Sequence, residues 1–70
     1  MLPIKTYIAE QFINKTFQFK CDCLIPIDTV GVVKDYEITN NEIVLFVSTL
    51  NGRIIHIGLN TPSLHIKALD

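Results

Sequence analysis

The stretch EIVLFVSTLNGRIIHIGL, residues 42–59, is the one on which the fold turns. Glu42 to Thr49 is rich in β-branched and aromatic residues and reads as a strand. Asn51-Gly52 follows, and both residues tolerate the positive φ that a type I′ hairpin demands at its two central positions. Arg53 to Leu59 is then the returning strand. With Asn51 and Gly52 central, Leu50 faces Arg53, Ser48 faces Ile55, Phe46 faces Ile57 and Val44 faces Leu59. Side chains alternate along a strand, so Val44, Phe46, Ile55, Ile57 and Leu59 share one face, the expected core. The other face carries Ile43, Leu45, Val47, Ile54 and His56, with Gly58, and is also largely apolar. A monomeric sheet needs one apolar face, not two. The second is expected to be shared between cover by the N-terminal segment and a partner or subunit interface. On this register Leu45→Lys lowers the assembly state and leaves the monomer folded.

Outward from the hairpin, the punctuation is dense. Thr39-Asn40-Asn41 marks the turn before it, and Val30 to Ile38 reads as the preceding strand. Leu24 to Thr29, with Pro26 and Asp28, reads as a loop. Earlier still, Phe17, Phe19, Cys21 and Cys23 alternate with Gln18, Lys20 and Asp22, the pattern of a half-buried strand starting at Thr16. Asn60-Thr61-Pro62-Ser63 makes a single turn, and Leu64 to Ala68 is the last strand, with Leu64 and Ile66 opposite His65 and Lys67. At the other end, Pro3 suits the first helical position, and Ile4, Ile8 and Phe12 recur at a spacing of four with Tyr7 beside them. That is a short helix with an apolar face that must pack, since an isolated helix of this length is marginal in water. The expected architecture is one domain, residues 1–70, mainly β. An N-terminal helix in residues 1–14 precedes a five-stranded antiparallel barrel in residues 15–70, since closure removes exposed edges.

Composition narrows the function. The chain has 70 residues, 49% of them hydrophobic and 19% charged, and a formal net charge of −1. Its six basic residues are dispersed, so no phosphate-tracking surface is evident and nucleic acid is disfavoured as a partner. No leader-like apolar stretch opens the chain, and the expected setting is the cytoplasm, with reduced thiols. Cys21 and Cys23 in a C-x-C pair, with His56 and His65, are the candidate ligands for a metal. The register turns His56 away from the core and the cysteines toward it, so the set diverges, and each cysteine reads as a small buried hydrophobe. A disulfide between residues two apart on a strand would sit near the upper limit of bridging distance. Asp28, Asp35, Glu37 and Glu42 show no acid–base spacing, and the three glycines form no phosphate loop. No catalytic constellation and no cofactor are expected.

The chain resembles the SH3-like small barrels. Gly31, the segment Asn40-Asn41-Glu42-Ile43-Val44-Leu45, and His56-Ile57-Gly58-Leu59-Asn60 resemble the Sm/Hfq-like branch. That branch implies ring-shaped homo-oligomers that bind RNA, with Asn40 and Asn60 as the positions to test. Ile57 stands where the branch usually has a basic residue, and Thr61-Pro62-Ser63 lengthens the final turn. Val30-Gly31-Val32-Val33, the Asn51-Gly52 hairpin and Leu64-x-Ile66 resemble the KOW-like branch, whose modules bind protein or RNA. The leading expectation is a non-enzymatic binding or assembly module acting through protein–protein contact. Its partner would be another protein or a second copy, as a homo-oligomer, and its size suits an accessory or regulatory protein of a phage or mobile element. A Sm-like RNA-binding oligomer and a Cys21/Cys23 metal protein are the alternatives.

Overall fold

The computed structural model describes residues 3–22 and 27–69. Its elements are α1 (Ile4–Glu10), β1 (Thr16–Cys21), β2 (Ile27–Thr39), β3 (Glu42–Thr49), β4 (Ile54–Gly58) and β5 (Leu64–Ala68). The five strands form one antiparallel sheet in the order β4-β3-β2-β1-β5. The sheet is open, with β4 at one edge and β5 at the other. A short connection joins these two outer strands. Thr61 N–H donates to the Gly58 carbonyl at 3.1 Å and Leu64 N–H to the Thr61 carbonyl at 3.3 Å, so the link is compact. Flat strands stand about 4.8 Å apart. A link this tight therefore requires the sheet to curl.

Two devices shape the curl. The long β2 serves both halves of the sheet: its first part pairs with β1 and its second with β3, and Gly31 lies opposite both Phe17 and Thr49. Between Val33 and Asp35 the β2–β3 register shifts. Lys34 is the extra residue of a bulge, and a bulge reverses which parity points inward. Val33 therefore faces the core before it, and Tyr36 and Ile38 face the same side after it, opposite Leu45 and Ile43. The apolar pattern of VVKDYEI changes phase at the same place, so sequence and backbone agree.

The hairpin is present, but its register is displaced by one residue from the expected one. Val47 pairs with Ile55, Leu45 with Ile57 and Phe46 with His56. The reason is the loop. Gly52 N–H donates to the Thr49 carbonyl at 3.0 Å, and Thr49 N–H donates to the Arg53 carbonyl at 2.8 Å. Gly52 has φ 85°. This is a three-residue loop, a turn centred on Leu50 and Asn51 closed by a left-handed glycine, not a two-residue turn centred on Asn51-Gly52. The turn with two positive-φ central residues lies instead between β2 and β3, at Asn40 (φ 50°) and Asn41 (φ 60°).

One residue of slip exchanges the faces of β3. Ile43, Leu45 and Val47, expected on a partner surface, are core, with Leu45 and Val47 both 0% exposed. Val44 and Phe46, expected in the core, are half-buried on the outer face. Ile55, Ile57 and Leu59 do face or pack against the core as expected. The core is completed by Phe17, Phe19, Cys21, Val33 and Ala9. Phe12, Phe17 and Phe19 form a tilted aromatic run with ring centroids 5.0 and 6.0 Å apart. The expected loop over Leu24 to Thr29 is corrected at its end, because Ile27, Asp28 and Thr29 open β2; residues 24–26 lie outside the described residues.

The helix differs from its expected orientation. It spans Ile4–Glu10, after which bonds from Gln11, Phe12 and Ile13 N–H to carbonyls three residues back continue the turn. Asn14, at φ 62°, ends it. Its buried residue is Ala9, while Ile4, Tyr7 and Ile8 are 77%, 59% and 41% exposed. A small residue lets the helix backbone lie close to the sheet, and the larger apolar residues then point away. Of the expected apolar face, Phe12 packs against the core. Tyr36 of β2 meets the helix through Glu10. Partial burial, then the nearby Glu10 and Asp35 carboxylates, raise the Tyr36 hydroxyl above its ordinary value of 10.0. Folding thus favours protonated Tyr36, so its contribution is present below the ordinary tyrosine value and lost as pH rises through the raised one. Wild-type stability is expected to fall more steeply above about pH 10 than that of Tyr36→Phe, measured by urea unfolding across pH.

Candidate functional site

Three surfaces collect the chemistry that the core does not use. The first is the outer face of β3 and β4. Phe46 and His56 stack across the strands, centroids 4.5 Å apart, with Ile54 57% exposed beside Ser48. Of the five residues expected to bind a partner, only Ile54 and His56 lie here; Ile43, Leu45 and Val47 point the other way. Phe46 was missed, having been assigned inward by the slipped register. The helix adds a second exposed apolar surface, Ile4, Tyr7 and Ile8.

The third surface is the edge of β4 that pairs with no other described residue, with the cleft beneath it. Thr49 bonds to Arg53, and Leu59 N–H donates to the Ile43 carbonyl at 2.9 Å. In an antiparallel ladder such hydrogen-bonded pairs alternate with non-bonded ones. Ile55 and Ile57 therefore spend their backbone groups on β3, and Ile54 and His56 aim theirs at the open side. The segment IIHIG has no Pro, Lys, Arg, Asp or Glu, the residues that usually blunt an edge. Beneath it lies an open cleft of about 330 Å³ with Ile27, Ile55 and Ile57 along its apolar side and Thr29, Thr49, Asn51 and Arg53 along its polar side. Arg53 has no ion pair with a described residue.

The metal alternative meets a different geometry. Cys21 is buried on the core face at 1% exposure, whereas His56 and His65 are exposed on the outer face. Among the described residues no three His, Cys, Asp or Glu side chains are grouped to hold a metal ion. Cys23 lies outside the described residues. Cys21 is disulfide-bonded, which corrects the expectation that it is a reduced thiol. Its Sγ lies 3.3 Å from the Pro62 carbonyl, a contact and not a hydrogen bond once the sulfur has no proton. The RNA alternative names Asn40 and Asn60. Both are exposed, and they lie at one end of the sheet, because Leu59 is bonded to Ile43 beside the Asn40-Asn41 turn. Among the described residues no helix is long and apolar enough to cross a membrane. No protein-family model matches the chain, and neither a curated protein nor a solved structure matches it.

Proposed function

We propose that the chain is a non-enzymatic binding and assembly module that works through protein–protein contact and self-associates. Its fold is read as an SH3-like small barrel left open between β4 and β5. The observation that carries this reading is the exposed apolar surface on so small a domain. Ile54, on the outer face beside the Phe46–His56 stack, is 57% exposed, and Ile4 of the helix is 77% exposed. Scattered apolar residues are ordinary on a surface, but contiguous apolar patches of several hundred Å² usually mark an interface. The outer-face residues are adjacent on paired strands, which supports a patch.

The test is native mass spectrometry of wild type and Ile54→Lys. Wild type is expected as a homo-oligomer and the variant as a folded monomer, since Ile54 is exposed and its replacement costs the fold little. A wild type that is monomeric at every concentration sinks self-association.

The second reading is a Sm-like oligomer that binds RNA, favoured by Asn40 and Asn60 lying at one end of the sheet. It requires a ring and an affinity for single strands that falls with salt. A gel shift at two salt concentrations decides it: absent or salt-independent binding removes it.

A further inference from the structure

We infer that the free edge of β4 and the cleft beneath it form a receptor for the C-terminal end of an extended apolar peptide from a partner protein. This deepens the reading of the chain as a protein-binding module, but uses a different surface from the self-association proposed through the outer face. Four features converge on it.

The first is the pair of backbone sets that no described residue takes up. Ile54 and His56 each present N–H and C=O toward the open side of the sheet, an arrangement that a further strand satisfies. The second is direction. Every pairing in the sheet is antiparallel. A strand added to β4 in the same sense runs from the Gly58 end toward Ile54, and its C-terminus arrives beside Arg53. The third is charge. Arg53 lies on the core-facing parity of β4, lines the cleft, and has no ion pair with a described residue. A guanidinium meets a terminal carboxylate with two parallel N–H donors, a fit that an amide cannot reproduce. The fourth is the apolar side of the cleft. Ile27, Ile55 and Ile57 line it, so alternate side chains of the added strand that point inward meet apolar surface. An apolar alternation ending in a free carboxylate is the ligand that answers all four. The chain stops using β4's backbone at Gly58, whose carbonyl is taken by Thr61, so the matching peptide segment is short.

The probe is a panel of N-acetylated hexapeptides with Val, Ile, Leu or Phe at alternate positions and Thr between them. Each is made with a free C-terminal carboxylate and as the carboxamide. Binding is read by fluorescence polarisation to wild type and to Arg53→Gln, with backbone amide shifts recorded for Ile54 to Ile57. Arg53 is exposed, so the variant keeps the fold. We expect free acids to bind with about tenfold higher affinity than their amides. In Arg53→Gln that preference disappears while the weaker, amide-level binding persists, and the shifts fall on Ile54 and His56. The inference is overturned if no member binds, if acid and amide bind equally, or if Arg53→Gln leaves the preference intact. It is also overturned if Arg53→Gln dissociates an oligomer, because the edge then belongs to a second copy. Native mass spectrometry of Ile54→Lys reports on self-association alone, so the two readings fail separately.

Discussion

Leu45→Lys is expected to unfold the protein. Leu45 is 0% exposed at the centre of β3, opposite Tyr36 on one side and Ile57 on the other. Removing a buried leucine side chain costs about 2–5 kcal/mol. Burying an ammonium group without a partner costs several kcal/mol more, about the whole margin by which a small domain is stable. Far-UV circular dichroism and amide chemical-shift dispersion check it. Loss of both is the expected result, with Ile54→Lys, on the exposed outer face, as the folded control. If Leu45→Lys instead keeps its dispersion and merely dissociates, the hairpin register is the two-residue one and the core and outer faces of β3 must be exchanged again.

Gly31→Ala is expected to destabilise by about 2 kcal/mol, although alanine is ordinarily the better strand residue. Gly31 is the buried position at which β2 is flanked by both β1 and β3. A methyl group built there comes within 2.5 Å of Val47 Cγ1 and 2.6 Å of the Ser48 carbonyl oxygen. The Val47 side chain could rotate, but the Ser48 oxygen is backbone and moves only if the β2–β3 pairing opens. For a domain of this size the loss corresponds to a fall in Tm of roughly 10 °C. Thermal unfolding of Gly31→Ala measures it. An unchanged Tm would mean that the sheet is not drawn this tightly around Gly31.

These two residues also show how far the sequence can be read. Both belong to stretches identified correctly as strands from composition and turn punctuation, and the element order, helix then five strands, follows from local signals alone. Period-two alternation reports that one set of side chains is buried and the other is not. It does not report which set, when both are apolar. In β3 the odd set Ile43, Leu45, Val47 and the even pair Val44, Phe46 are both apolar, and the choice rested on the loop although Glu42 and Ser48 share the even parity. Asn51-Gly52 suits a two-residue turn and also the last two positions of a three-residue loop. The extra residue moved Leu45 from the surface to the core and Phe46 out of it. The bulge at Lys34 was legible as a phase change in VVKDYEI, but nothing local says whether a phase change ends a strand or bends it.

The candidate site was less legible than the fold. Ile54 and His56 were found, because β4 carries its parity in a clear form. Phe46 was lost with the register. The edge-and-cleft site had no local signal at all: it needs Ile27 of β2 near Ile57 of β4, residues far apart in sequence. The helix repeats the lesson. A spacing of four places Ile4 and Ile8 on one face, but whether that face meets the sheet depends on where the chain enters it, and here Ala9 is the residue admitted.

What the sequence determined by itself is local: where strands begin, where asparagine and glycine allow the chain to reverse, and that one helix precedes the sheet. Those choices depend on backbone preferences within a few residues. What only the tertiary structure decided is which apolar face is covered, how the sheet curls around Gly31, and which edge is left open. Burial is set by contacts between strands distant in the chain, and a one-residue change in a single loop is enough to reverse it.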